Sequence, residues 1–284
     1  MPSWITLAFI ALVFLVISAI ENRRPLRLGR EPRVRRLGRN LATAGIGVAV
    51  IQLLQAPLLV PVSQWTMSAG FGLLNLVGAS GWLRPAVAFL FLDYTLWFWH
   101  WANHRLPFFW RFHSVHHVDL DLDVSTGLRF HFGELAFSIG FRALQIIVIG
   151  ADPMSVWIYQ ILLFGSVLFH HSNLRLPVRF ERALVRLVVT PRMHGIHHSN
   201  FQNETDSNWS SLLSFWDYLH GTVLLDVPQQ SIQIGVPAYQ DPKKVTLGKI
   251  LAMPFKGRRN DWAMADGRTA FRPHLGSDHA RLDE

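Results

Sequence analysis

The 284-residue chain contains no cysteine. Disulfides, thiolate metal sites and cysteine nucleophiles are therefore excluded, and any metal must be held by nitrogen or oxygen donors. A disulfide-stapled extracellular domain is excluded on the same ground. Charge is also scarce, with Asp, Glu, Lys and Arg making up only 16% of residues. Hydrophobic residues reach 50%, including eleven Trp and twenty Phe, and mean hydropathy is +0.22. That balance is high for a soluble globular protein and ordinary for a polytopic membrane protein. The net charge of +8 is not spread as a nucleic-acid-binding stripe, which argues against nucleic acid as a partner. Eight Arg crowd instead into "ENRRPLRLGREPRVRRLGRN", between two apolar runs. A juxtamembrane loop facing anionic lipid and the cytoplasm is expected there.

Apolar runs cover about residues 3–20, 41–62, 82–103, 135–150 and 153–171. The first has no Lys or Arg before it and is followed by Glu21 and Arg23, so a retained membrane helix is expected rather than a signal peptide. Pro57 and Pro61 are tolerable in a membrane helix whose neighbours satisfy the freed carbonyls. The run at 135–150 is short and contains Arg142. It either spans with Arg142 in the bundle interior, or 135–171 forms a re-entrant hairpin. The expected fold is all-α: a polytopic membrane bundle of about four to five helices or a re-entrant hairpin, with a cytoplasmic helical cap holding a His-rich dimetal site. Its expected organisation is an N-terminal helix and basic loop (1–40), a membrane and catalytic domain (41–228) and a polar cytoplasmic tail (229–284), exposed from about Lys256 onward. The Lys/Arg bias puts the Arg loop, residues 104–134 and the C-terminal third on the cytoplasmic side. Oligomeric state is not legible.

Most of the fourteen His are grouped. His100 and His104 stand at i, i+4. His113, His116 and His117 stand at i, i+3, i+4, and His194, His197 and His198 repeat that spacing. On a helix these positions share one side about a turn apart, so two imidazoles can bind one ion while a third reaches a second. Neutral imidazole suits Fe, Zn, Cu or Ni. Asp93 lies two helical turns before His100 and is expected to accept a ligand imidazole N–H. Asp119, Asp121 and Asp123 alternate with leucines and are expected on a solvated loop. His220, His274 and His279 stand apart from the groups and are expected to be structural.

The stretches "DYTLWFWHWANH", "WRFHSVHH", "RFHFGE", "FHHSN", "TPRMHGIHHS" and "NETDSNWSSLLSFWDYLHGT" resemble, in order and spacing, the fatty acid hydroxylase/sterol desaturase superfamily of integral-membrane di-iron enzymes. The resemblance covers about half the chain. It implies that His100, His104, His113, His116, His117, His194, His197 and His198 are metal ligands, with His171 the ninth. His131 and Glu134 lie where the family usually has R-x-H-P-x-E, here with Phe132 for the proline. They are expected to supply a tenth ligand or an anchor for one. His170, Asn173, Asp206 and Asn208 are expected to support or close the site.

The resemblance further implies two iron ions, with Zn possible in purified protein, and O2 as co-substrate. The reaction implied is hydroxylation of an unactivated C–H of a membrane lipid. No GxGxxG fingerprint occurs, so a separate electron donor is implied, a ferredoxin or cytochrome with its reductase. The Glu and Glu-x-x-His pattern of soluble di-iron bundles is absent. Desaturation and ether-lipid oxygenation are alternatives on the same site. A metal transporter or non-catalytic metal protein is the rival class, although transporter sites belong near mid-membrane. The expected location is the bacterial inner membrane.

Overall fold

The computed structural model describes residues 3–257, 260–264 and 266–272, and among these it contains no β-strand. His274 and His279 lie outside the described residues. Sheet-like pairing is confined to isolated bridges such as Val188 with Leu213 and Ser199 with Ile234.

Five long helices form the body of the bundle among the described residues: α1 (Ser3–Arg23), α2 (Arg33–Ser68) with its short continuation α3 (Leu73–Leu76), α4 (Leu83–Arg105), α6 (Phe132–Ile149) and α7 (Pro153–His171). Between α4 and α6 lies α5 (Pro107–His117), and after α7 come α8 (Val178–Leu184), α9 (Pro191–His197), α10 (Gln202–Thr205), α11 (Phe215–His220) and α12 (Leu247–Ala252). By length and composition the α2–α3 run, α6 and α7 can cross a membrane. Leu53, Leu54, Leu144, Val148, Ile158 and Leu162 on these helices are exposed, as lipid-facing side chains are. The chain is an integral membrane protein. α1 packs on α7, and α4 packs on both α6 and α7.

Local chemistry explains the hairpin. Gly150 ends α6 at φ +78°, the left-handed turn that glycine adopts without a Cβ clash, and its N–H bonds Ile146 O. Two residues later Asp152 caps α7 by accepting from Met154 N and Ser155 N, both at 3.0 Å, with Pro153 at the first helical position. Two separate helices of 18 and 19 residues result. The apolar core between them and α2 and α4 is built on Leu59, Leu92, Ile139, Ile146 and Tyr159.

The basic loop departs from expectation. Arg36 and Arg39 are buried rather than facing lipid. Their partners are the very acids expected on a solvated loop. Arg36 pairs with Asp119 at 2.9 Å and with Asp123, and Arg39 reaches Asp119 at 3.5 Å as well as Glu31 at 2.6 Å. Asp121 accepts from Arg30 N and Glu31 N. Asp119, Asp121 and Asp123 are at most 9% exposed. Unpaired acids would be costly there, and the guanidiniums of Arg33, Arg36, Arg39 and Arg129 supply the compensation. Burial alone would raise the Asp119 carboxyl, but Arg36, Arg129 and Arg39 outweigh it and hold it down to about 2.

The tail also departs from expectation. Val236, Val245 and Ile250 are buried against Val115, Val118 and Leu120 just after α5. Trp110 donates to Asp261 and Arg272 pairs with Glu204. The described residues after 228 therefore pack over the histidine-bearing helices, through Val236, Val245, Ile250, Asp261 and Arg272.

Candidate metal centre

The histidines converge at one end of the bundle. His100 and His104 occupy the last turns of α4, and His171 is the final residue of α7. The short helices α5 and α9 carry the two H-x-x-H-H motifs and lie against that end. Proline at the first position of each helix fixes its start, and Thr190 caps α9 by accepting from Met193 N.

Nine imidazoles fall into two groups whose ligand atoms lie within 4.8 Å of one another. Group A holds His100, His104, His113, His117 and His197, and group B holds His116, His171, His194 and His198. Each motif is split. The i and i+4 residues go to one group and the i+3 residue goes to the other. Helix geometry accounts for this, since i and i+4 are about 40° apart around the axis, whereas i+3 is about 100° from i+4. The groups adjoin through His117 and His198, whose rings stack at 4.3 Å.

The hydrogen bonds decide which nitrogens are free. His116 Nδ1 faces Arg129 O at 3.2 Å, and His171 Nδ1 faces Val167 O at 2.8 Å. A carbonyl only accepts, so each neutral ring carries its proton on Nδ1 and a bare lone pair on Nε2. Those two Nε2 atoms are 2.9 Å apart; His194 Nε2 is 3.0 Å from His171 Nε2, and His198 Nε2 is 3.1 Å from His194 Nε2. Facing lone pairs repel at that distance unless a cation lies between them. Ligand nitrogens about 2.0–2.1 Å from one ion are separated by roughly 3 Å. In group A, His100 and His197 use Nδ1 on Trp209 O and Ser207 O, both at 2.7 Å, and His113 Nδ1 donates to Glu134 at 2.7 Å. The Nε2 atoms of His104, His113, His117 and His197 are buried without a partner. Orphaned nitrogens turned to a common point fit a metal ion.

Burial, and then neighbouring imidazoles, push His117, His194 and His198 well below their ordinary range. Burial is also the main cause for His197, lowered to about 3. Neutral, ligand-ready imidazole is thus the form present at ordinary pH.

The remaining expected residues sort by contact. Glu134 holds His113, and a carboxylate there fixes ring orientation. His131 stands outside both groups. Its Nδ1 accepts from Gly133 N to cap α6 and its Nε2 donates to Leu251 O, leaving no nitrogen for a tenth metal bond. Asp93 touches no imidazole. It accepts from Trp216 Nε1, Leu213 N and Tyr159 Oη, pinning the 209–217 segment to α4. His170 is buried beside His194, ring centres 4.1 Å apart, and bonds Ser211 O. Asn173 clamps Arg27 through both backbone groups, and Asp206 pairs with Arg105 at 3.1 Å. His220 stacks on Trp97 away from the groups.

Two positions carry more than their sequence suggests. Asn208 adopts φ +55°, a left-handed turn that Asn tolerates, and its side chain bonds Met193 O and Leu224 O. Its two neighbours supply the carbonyls that hold His197 and His100. Asp217 accepts from Trp97 Nε1, Trp209 N and Ser210 N, fixing that same carbonyl-bearing strand of chain. Little in residue spacing marks Asp217, because its partners are backbone groups, the nearby Thr222 hydroxyl and a tryptophan 120 residues away.

A cavity of about 200 Å³ adjoins both groups, touching His100 and His113 of one and His116, His171 and His194 of the other. It continues into the bundle between α2, α4, α6 and α7 along Leu96, Ile139 and Leu163.

Residues 85–222, which include all nine grouped histidines, match the family model for fatty acid hydroxylase. An ornithine lipid hydroxylase from Rhizobium tropici is 32% identical over 173 residues, 59% of this chain and 49% of that protein. A cholesterol 25-hydroxylase-like protein from Danio rerio is 26% identical over 141 residues, 49% of this chain and 54% of that one. An alkylglycerol monooxygenase from Xenopus tropicalis is 28% identical over 136 residues, 48% and 29% respectively. The chain thus spans about half or less of the length of these curated relatives. No solved structure matches.

Proposed function

Since this chain belongs to the fatty acid hydroxylase/sterol desaturase superfamily, we propose that it is an O2-dependent membrane oxidoreductase that hydroxylates an unactivated C–H bond of a lipid. The observation that carries this reading is the cavity with six histidines at one end, five of them from the two groups, and apolar walls running into the bundle. A lipid chain fits such a space. The three relatives named above are each named for oxygenation of a lipid, and the lipids differ, so the class transfers and the individual substrate does not.

The nine grouped histidines are proposed to hold two iron ions, five on one and four on the other. When bound, the iron pair supplies the redox chemistry with O2. The protein contributes positioning: Glu134, Ser207 O, Trp209 O, Arg129 O and Val167 O hold five rings by Nδ1 and leave Nε2 turned inward. Leu96, Ile139 and Leu163 line the route for the chain and exclude water from it. The balance is one lipid C–H, O2, two electrons and two protons giving an alcohol and water. The electrons require an outside donor, of ferredoxin or cytochrome type. The catalytic unit takes in the roof formed by residues after 228, and the histidine end faces the cytoplasm of a bacterial inner membrane by the Lys/Arg bias. The ligands' position at one end of the bundle disfavours a transporter.

The test is iron-loaded protein in lipid nanodiscs with a reductant, read by O2 uptake and product mass. Gain of one oxygen atom supports hydroxylation, and loss of two hydrogens means desaturation. No uptake with any lipid, in protein shown to hold iron, overturns the reading. Nitrogen-rich sites take Zn readily, so bound Zn is exchanged before the assay.

A further inference from the structure

The cavity is not apolar throughout. Far from the histidines it is lined by Arg142 of α6, and by Gln55 and Gln160 from α2 and α7, whose side chains bond each other at 3.1 Å. Arg142 is only 8% exposed. Its guanidinium lies over the Tyr159 ring at 4.9 Å, and Tyr159 in turn donates to Asp93 at 3.3 Å. Yet Arg142 Nη1 is buried with no hydrogen-bond partner. A buried cationic donor in a membrane helix is costly, and leucine would line an alkyl pocket better.

Building on the lipid-oxygenase reading, we propose that Arg142 is a specificity-determining residue whose free Nη1 binds an uncharged oxygen of the substrate, a hydroxyl or carbonyl. The charge state follows from the neighbourhood. Asp93 already balances the guanidinium through Tyr159, so a carboxylate would add an uncompensated negative charge in a low-dielectric site. An uncharged acceptor completes the donor without that cost. Position along the helix gives the distance. Arg142 lies eight residues beyond Glu134 on α6, about 12 Å at 1.5 Å per residue. Gln160 lies eleven residues before His171 on α7, about 16 Å by the same measure. An extended chain crosses that gap in on the order of ten carbon–carbon bonds. The substrate is therefore an amphiphile that turns its apolar end to the histidines and keeps its oxygen at the far end. Hydroxylation falls on a carbon remote from the oxygen it already carries.

The test is equilibrium binding of dodecan-1-ol and of dodecane to the detergent-solubilised full chain, followed by product analysis with the iron-loaded protein. Wild type is expected to hold the alkanol about tenfold more tightly than the alkane, the worth of one hydrogen bond to a charged donor. Arg142→Met removes that preference, while Arg142→Lys retains part of it. Should Arg142→Met not fold, Arg142→Gln serves in its place, with the same loss expected. Equal binding of the two ligands by wild type, or a preference that survives loss of the guanidinium, overturns the proposal. An alkanol preference without oxidation of any lipid would leave this site standing and sink the oxygenase reading. Oxidation without the preference would do the reverse.

Discussion

The two histidine groups are built from the same pair of motifs but supported differently. Group A has five imidazoles and a carboxylate, Glu134, behind one of them. Group B has four imidazoles, and only backbone carbonyls behind His116 and His171. Three of group B's four rings touch the cavity, against two of group A's five. The carboxylate-backed group is the fuller and better anchored, and the other is the more open to substrate. Support and access are divided between the two neighbouring groups.

Ligand removal tests the division most severely. His194→Ala and His113→Ala should each lose at least one metal equivalent by elemental analysis, from groups B and A respectively, and turnover should become undetectable in both. Two equivalents retained in either variant would break the assignment.

Acid comes next. In the metal-free protein His197 is held near 3 by burial, whereas an unfolded imidazole titrates near 6.5. Between those values only the unfolded chain takes up the proton. Stability from this ring is therefore complete above about 6.5 and is lost as pH falls toward 3. His117, His194 and His198 shift in the same direction. Thermal melts of metal-free protein from neutral to mildly acidic pH should show steadily falling midpoints; a flat profile would contradict the shared neutral state. Group B, whose rings make no hydrogen bond to a carboxylate among the described residues, should release a bound ion at higher pH than group A.

Glu134→Gln isolates the carboxylate. Metal affinity of group A should fall about 10- to 100-fold, and by more than that of group B, as competition with a chelator would read. Smallest is His131→Asn. Asparagine also caps helices, so stability should change by no more than about 1 kcal/mol and both ions should stay. Loss of an ion would restore His131 to the ligand set.

The motifs were legible because helical period alone puts i and i+4 together, and the all-α membrane bundle followed from long apolar runs. His171 was legible only through resemblance, since one histidine at a helix end has no periodic partner. The acids of 119–123 were misread because their counter-charges lie more than eighty residues upstream in the basic loop. Asp93 was placed on the correct helix, but its partners come from the distant 213–216 segment. Backbone carbonyls such as Trp209 O carry no sequence signature at all. What local spacing encodes can be read. What two remote segments build together cannot.

Each H-x-x-H-H helix gives imidazoles to both groups, and this would bind two metal-loading events to each other. A first ion that draws in His113 and His117 also sets the azimuth of α5, and with it the aim of His116 toward the second. α9 repeats the linkage with His197 against His194 and His198. The pair of short helices thus acts as a mechanical yoke, through which occupancy of one centre raises affinity at its neighbour, and half-loaded protein should be scarce.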